Sequence, residues 1–243
     1  MKISVYIRDK INKLPKGYVF TYTDFSTEVN DKEAVIKHLN RMVAAGNINK
    51  LSKGKYYKPK ETVFGTLQPN QYQIVKDLLE DEGKIIGYLT GYSIYNSLGL
   101  TTQVSNRIQI GKNEIRPAFK RERFKISFIK QKNTITRENV PLLQILDAIR
   151  YIKKIPDTTI DKSCIRITSL LSDLKNYEKQ RLIKLAAKYP PSTRALVGAL
   201  LDRIGYSDKD ILNTLFETLN PISTYKLNVS KEILPNAENW NIK

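Results

Sequence analysis

Within the stretch 32–45, Lys37, Asn40 and Arg41 recur at intervals of three or four or lie side by side. That spacing stacks side chains on one side of an α-helix. Asn can make paired hydrogen bonds with the edge of adenine and Arg with that of guanine, while Lys37 suits either a base or a phosphate. Shortly downstream, Lys50, Lys53, Lys55 and Lys58 crowd around Tyr56 and Tyr57. Strand alternation should send one of these tyrosines inward and leave the other free to bond a phosphate. Thr23, Lys32, Lys37, Asn40, Arg41, Lys50, Lys53, Lys55 and Tyr56 thus form a candidate DNA-binding set. The competing reading is a solvated helix face beside an edge strand whose lysines block aggregation.

Side chains suited to catalysis are scarce. One His (His38) and one Cys (Cys164) exclude most zinc sites built from these residues and any disulfide within the chain. His38 falls beside an apolar stripe, and Cys164 belongs to the pattern Ile160, Cys164, Ile167, Leu170, Leu171, where a thiol acts as a small hydrophobe. Gly87-Tyr88-Leu89-Thr90-Gly91 lacks the spacing and the terminal Lys-Ser/Thr of a phosphate-binding loop, and no dinucleotide-binding glycine pattern occurs. Asp208 and Asp210 stand at an expected helix start and read as capping residues. No catalytic residue, metal site or cofactor is expected, and the chain reads as a binding protein.

The elements that must position these residues follow from length and charge. A chain of 243 residues suits two domains. Its formal charge of +17 and pI of about 9.7 point to an anionic partner. Residues 1–60 hold 13 basic and 5 acidic side chains. Charges throughout the first residues argue against a signal peptide, and no apolar run approaches the roughly 20 residues of a membrane span, so a cytoplasmic protein is expected.

Apolar spacing predicts a helix over 4–14 stopped at Pro15-Lys16-Gly17, an extended Tyr18-Val19-Phe20, and a brief helix capped by Thr21 or Thr23. A helix follows over 32–45, with Asp31 as its N-cap and Gly46 at its end. Its stripe Val35, Leu39, Met42 and, at the margin, Val43 faces a core. A hairpin follows around Ser52-Lys53-Gly54. This order predicts a winged helix-turn-helix over residues 1–62. Residues 61–69 lack periodicity and read as the boundary. The remainder, 63–243, is expected to be a larger α+β domain. Its basic region, about 84–138, should hold a small antiparallel sheet with strands near 84–89, 104–110 and 124–129. Helices are predicted at 71–81 and 91–98, and in a helical half, about 140–220, at 141–153, 161–175, 178–188, 192–204 and 208–219. A last extended piece is expected at 224–229.

Four stretches carry a family resemblance: Leu51–Pro59 (LSKGKYYKP), Gly87–Val104 (GYLTGYSIYNSLGLTTQV), Leu143–Arg150 (LQILDAIR) and Tyr189–Leu201 (YPPSTRALVGALL). Together they resemble the AbiEi-like antitoxins of bacterial abortive-infection systems. The resemblance implies a winged-helix DNA-binding domain and a larger C-terminal domain needed for antitoxin action. It also implies a nucleotidyltransferase-like toxin as functional partner, opposed without a stable complex. Such an antitoxin represses its own operon, binding double-stranded operator DNA at inverted repeats.

A second basic concentration, 107–137, has ten cations against Glu114 and Glu122. Arg107, Arg116, Lys120, Arg121, Arg123 and Lys125 form a possible second nucleic-acid surface. It would extend the DNA footprint or contact RNA, unless it is a solvated sheet face. Two rivals stand beside the antitoxin reading: a module that binds its protein partner directly, and a winged-helix regulator unrelated to any toxin. An RNA-processing enzyme is motivated by charge alone.

Overall fold

The structure is a computed structural model that describes residues 3–26, 28–63 and 65–243. It is an α+β protein with eight α-helices and small sheets among the described residues. None of these helices is long and apolar enough to cross a membrane. The chain divides into two compact units, residues 1–77 with 120–124, and residues 78–119 with 125–243.

The first unit opens with helix α1 (Ile3–Lys13), strand β1 (Val19–Thr21) and a 3-10 turn over Tyr22–Phe25. Thr21 caps that turn: its hydroxyl accepts from the Thr23 amide while Asp24 reaches back to the Thr21 amide. Helix α2 (Lys32–Ala44) begins where the Asp31 carboxylate accepts the Ala34 amide at 2.9 Å. Strands β2 (Asn49–Ser52) and β3 (Lys55–Tyr57) form the hairpin. Gly54 turns it with φ of +73°, a backbone angle that costs glycine little. The antiparallel sheet has the order β1-β3-β2. Ile7, Ile11, Phe20, Phe25, Leu39 and Tyr56 contribute to a sealed core of this unit.

At the boundary expected over residues 61–69, strand β4 (Lys60–Thr62) pairs antiparallel with β5 (Gly65–Leu67). Phe64 lies outside the described residues. Helix α3 (Gln71–Leu79) follows. Its first turns are tied to the small sheet. Gln73 accepts the Val19 amide at 3.0 Å, Lys76 donates to the Tyr18 hydroxyl, and Asp77 pairs with Lys55. The part of α3 up to Asp77 therefore packs within the first unit.

Beyond α3 come the β6 (Glu80–Asp81) and β7 (Lys84–Ile85) ribbon, then β8 (Gly87–Thr90), β9 (Arg107–Lys112), β10 (Phe119–Arg121) and β11 (Phe124–Lys130) in a sheet of order β10-β11-β9-β8; residues 120–124 of these count to the first unit and the rest to the second. Pairing of β8 with β9 is antiparallel, whereas β11 runs parallel to β9, so this sheet is mixed where an antiparallel one was expected. Residues 91–98 are not the expected α-helix. Gly91 sits at φ of +55° with the Gln109 side chain where a Cβ would stand, and Gln109 accepts the Tyr92 amide and donates its own amide to Ser93. These bonds hold the segment to β9 as tight turns. Helices α4 (Val140–Arg150), α5 (Ile160–Ser172), α6 (Asn176–Ala186), α7 (Pro191–Arg203) and α8 (Lys209–Phe216) follow the predicted spacing. Asp208 caps α8 by accepting the Ile211 amide, which is the capping role expected of it. The expected strand at 224–229 is irregular chain with a single bridge from Tyr225 to Ile242.

Candidate nucleic-acid interface

The core stripe of α2 seats its opposite face. Val35, Leu39 and Met42 are buried, Val43 is half-buried, and Lys37, Asn40, Arg41 and Ala44 are exposed. Glu33, Ile36, Lys37, Asn40, Arg41 and Ala44 line a shallow open depression along this face. His38 lies between the faces. Burial, then the charges of Arg8 and Arg41, hold its imidazole below the ordinary histidine range, so it is neutral at pH 7. Arg8 of α1, which periodicity alone did not single out, is near enough to His38 for its charge to act there.

The hairpin supplies less free charge than its sequence promises. Lys50 and Lys53 are exposed. Lys58 instead donates to the carbonyls of Asn12 and Leu14 at 2.7 and 3.1 Å, satisfying the end of α1. Lys55 is largely covered and pairs with Asp77, which also takes two hydrogen bonds from Arg121 at 2.7 and 3.1 Å. Burial pushes the Asp77 carboxyl up, but the bonds and charges of Arg121 and Lys55 outweigh it and leave the group below its ordinary range. These two cations are engaged in holding the first unit together.

Neither tyrosine faces outward, which corrects the expectation for Tyr56. Tyr56 and Tyr57 are 3% and 7% exposed. β3 is the central strand of the small sheet, paired along both edges, and the side chains on either side of it are covered. The Tyr56 ring stacks on Phe20, and its hydroxyl donates to Asn40 Oδ1 at 3.0 Å. Tyr57 accepts from Asn49 at 3.2 Å. Tyr56 is thus a positioning residue that orients Asn40 with its amide nitrogen still unused by this bond. Thr23 is exposed beside Thr21, and Lys32 lies over the Tyr22 ring at 4.6 Å.

The six candidate cations of the second basic region are divided between the two units. Lys120, Arg121 and Arg123 belong to the first, and Arg107, Arg116 and Lys125 to the second. Arg121 is half-buried and donates to the Ile74 carbonyl as well as to Asp77. Arg116 lies over the Phe119 and Phe128 rings, Arg123 over Phe124, and Arg107 over Tyr92. Arg107 and Lys125 are register partners on β9 and β11, both exposed. No single patch of six cations forms within either unit.

Sequence reading missed the polar centre of the second unit. The Asp147 carboxylate is sealed from solvent and accepts from Tyr88 at 2.8 Å, Thr90 at 2.7 Å and Tyr189 at 2.9 Å. Gln131 gives one amide hydrogen to each phenol, both at 2.8 Å, closing a ring. Burial raises the Asp147 carboxyl against the pull of its three donors, and raises both phenols. Three of the four stretches that carry the resemblance, those holding Tyr88 and Thr90, Asp147, and Tyr189, meet in this ring. Cys164 is fully buried, with its thiol pushed up to about 12, as an inert core residue would be. Among the described residues no cluster of His, Cys, Asp and Glu is placed to hold a metal ion.

Among known families, a model described as a family of unknown function (DUF6088) matches residues 6–201. No curated protein and no solved structure matches the chain.

Proposed function

We propose, for a chain that belongs to the DUF6088 family, that it is a DNA-binding antitoxin whose N-terminal unit is a winged helix-turn-helix. The carrying observation is that Lys37, Asn40 and Arg41 share the exposed face of a helix followed by a hairpin bearing exposed Lys50 and Lys53. In this reading α2 enters the major groove of an operator and the hairpin follows its backbone. Arg41 and Asn40 read bases while Lys37, Lys50 and Lys53 take bases or phosphates. The protein then represses its own operon and performs no turnover chemistry.

The toxin half of the reading rests on the resemblance of Leu51–Pro59, Gly87–Val104, Leu143–Arg150 and Tyr189–Leu201 to AbiEi-like antitoxins. The partner is a nucleotidyltransferase-like toxin that the second unit counteracts without a stable complex.

Fluorescence anisotropy with DNA from upstream of the gene tests the first half. Operator affinity should exceed that for random duplex. Six to eight phosphate contacts predict a slope of log affinity against log salt of about −5 to −7. Equal binding to operator and random sequence would overturn autorepression. Co-expression with the adjacent reading frame tests the second half: rescue of growth without co-elution supports it, and a complex surviving high salt replaces it with direct binding.

A further inference from the structure

The second unit has a concavity that the DNA-binding reading leaves unused. Lys130 and Lys132 at the end of β11, Arg150 at the end of α4, and Lys188 after α6 line a pocket of about 270 Å³. All four side chains are exposed, and no Asp or Glu lines the pocket. Its floor includes Gln131 and Tyr189, which are 4% and 5% exposed and fixed by the Asp147 ring. The floor is therefore held by internal hydrogen bonds, while the walls carry four like charges with no carboxylate among the lining residues; the Asp147 carboxylate is buried beneath the floor and interacts with Arg150. Like charges held around a concavity repel one another and create a positive potential that an anion relieves.

A second pocket, of about 440 Å³, shares Arg150 with the first. The start of α7 passes from one to the other: Pro190 and Pro191 line the first pocket, Ser192 and Thr193 the second. The second pocket is cationic too, with Arg150, Lys153, Lys154 and Lys226 in its lining, and it adds aromatic rings. Tyr151 and Tyr225 line the second pocket, with Arg150 and Lys154 over the Tyr151 ring at 5.1 and 5.4 Å. The Tyr225 hydroxyl is buried without a hydrogen-bond partner. No Asp or Glu lines this pocket either.

A cationic pocket joined through one arginine to a larger one that carries both cations and two tyrosines can take the two ends of a nucleotide. Phosphate is held by Lys and Arg, and a base stacks on tyrosine or on a guanidinium plane. We propose that this groove binds a nucleoside phosphate, free or at the end of a single strand. The phosphate lies among Lys130, Lys132, Arg150 and Lys188, and the nucleoside lies along Tyr151 and Tyr225.

Isothermal titration of the full-length protein with inorganic phosphate, adenosine monophosphate and a 5′-phosphorylated eight-nucleotide single strand tests the proposal. Saturable one-to-one binding of the monophosphate is expected. Arg150→Gln/Lys188→Gln should weaken it at least tenfold with an unchanged melting midpoint. Lys162→Gln/Lys175→Gln, equal in charge lost but on α5 and before α6, should leave it unchanged. Tyr151→Ala should weaken the nucleotide and spare inorganic phosphate. Tighter binding of the strand, lost in the same variant, identifies a strand end as the source; no gain over the monophosphate identifies the free nucleotide. Absence of saturable binding, or equal losses in the two double variants, would overturn the site. Should the first pair unfold the protein, Lys130→Gln/Lys132→Gln repeats the test from the other wall.

Discussion

On the outer face of α2, Lys37, Asn40 and Arg41 point to solvent over an apolar stripe, and Asn40 alone among them is held, by Tyr56. Around Asp147 the arrangement is the reverse: every polar group is buried and bonded, and the ring Asp147–Tyr88–Gln131–Tyr189 closes on itself. One region leaves its hydrogen-bonding capacity turned to solvent. The other has spent it on internal order. A polar residue therefore marks an interface only when its partners have been accounted for. By that measure Lys55, Lys58 and Arg121 belong with the ring, although their residue types place them with the face.

The contrast is most easily broken at the ring. Asp147→Ala removes the shared acceptor of three buried hydroxyls, so it should destabilise the protein by about 3 kcal/mol or more in urea unfolding. A loss below about 1 kcal/mol would mean that water replaces the carboxylate and that the ring is not internally committed. The raised Asp147 pKa adds a sign. The folded protein binds this proton more tightly than the unfolded chain. Its contribution is thus fully present below the ordinary carboxylate pKa and is lost as pH rises through the folded value. In Asp147→Asn that dependence should vanish, which unfolding curves across this window would read directly.

On the α2 face the next largest effect is expected. Arg41→Ala should cost about 1–3 kcal/mol on the operator and little on random duplex, because a bidentate base contact carries sequence information and a phosphate contact does not. An equal loss on both would move Arg41 from base reading to backbone contact.

Legibility in the sequence followed the range of the interaction. Asp31, Val35, Leu39, Met42 and Gly46 lie in or just beside one helix, and their spacing marks α2 and its exposed face; the helices from 140 onward were legible for the same reason. Tyr88, Gln131, Asp147 and Tyr189 follow one another at intervals of 16 to 43 residues along the chain, and each looks ordinary in its own window. The parallel pairing of β11 with β9 was hidden for a related reason: period-two alternation is the same in either direction. The turns at 91–98 were hidden because Gln109, which straps them, lies beyond any local window. Lys55 and Lys53 are the same residue type two positions apart, and only the distant Asp77 separates their roles.

Tyr56→Phe probes the junction between the two kinds of region, since its hydroxyl is buried yet bonds an outward Asn40. Loss of that bond should cost about 1 kcal/mol in stability. It should also relax operator preference at a single base position, because Asn40 is no longer oriented. A variant that loses stability but keeps full discrimination would make Tyr56 a core residue only.

The finest test separates Lys53 from Lys55. Lys53 is exposed at the hairpin turn, so Lys53→Ala should weaken operator and random DNA alike and reduce the salt slope by about 0.9, the share of one phosphate. Lys55 is covered and paired, so Lys55→Ala should leave the salt slope unchanged and act on folding instead. Its effect has a defined direction with pH. Asp77 sits below its ordinary range in the folded protein, so its contribution is present above the ordinary carboxylate pKa and is lost as pH falls through the folded value. Removing Lys55 takes away part of that lowering, and the acid unfolding midpoint should move to higher pH while Lys53→Ala leaves it in place. Should both variants instead lower the salt slope equally, Lys55 would have to leave Asp77 for DNA, and the hairpin would be a single basic surface rather than one divided between recognition and fold.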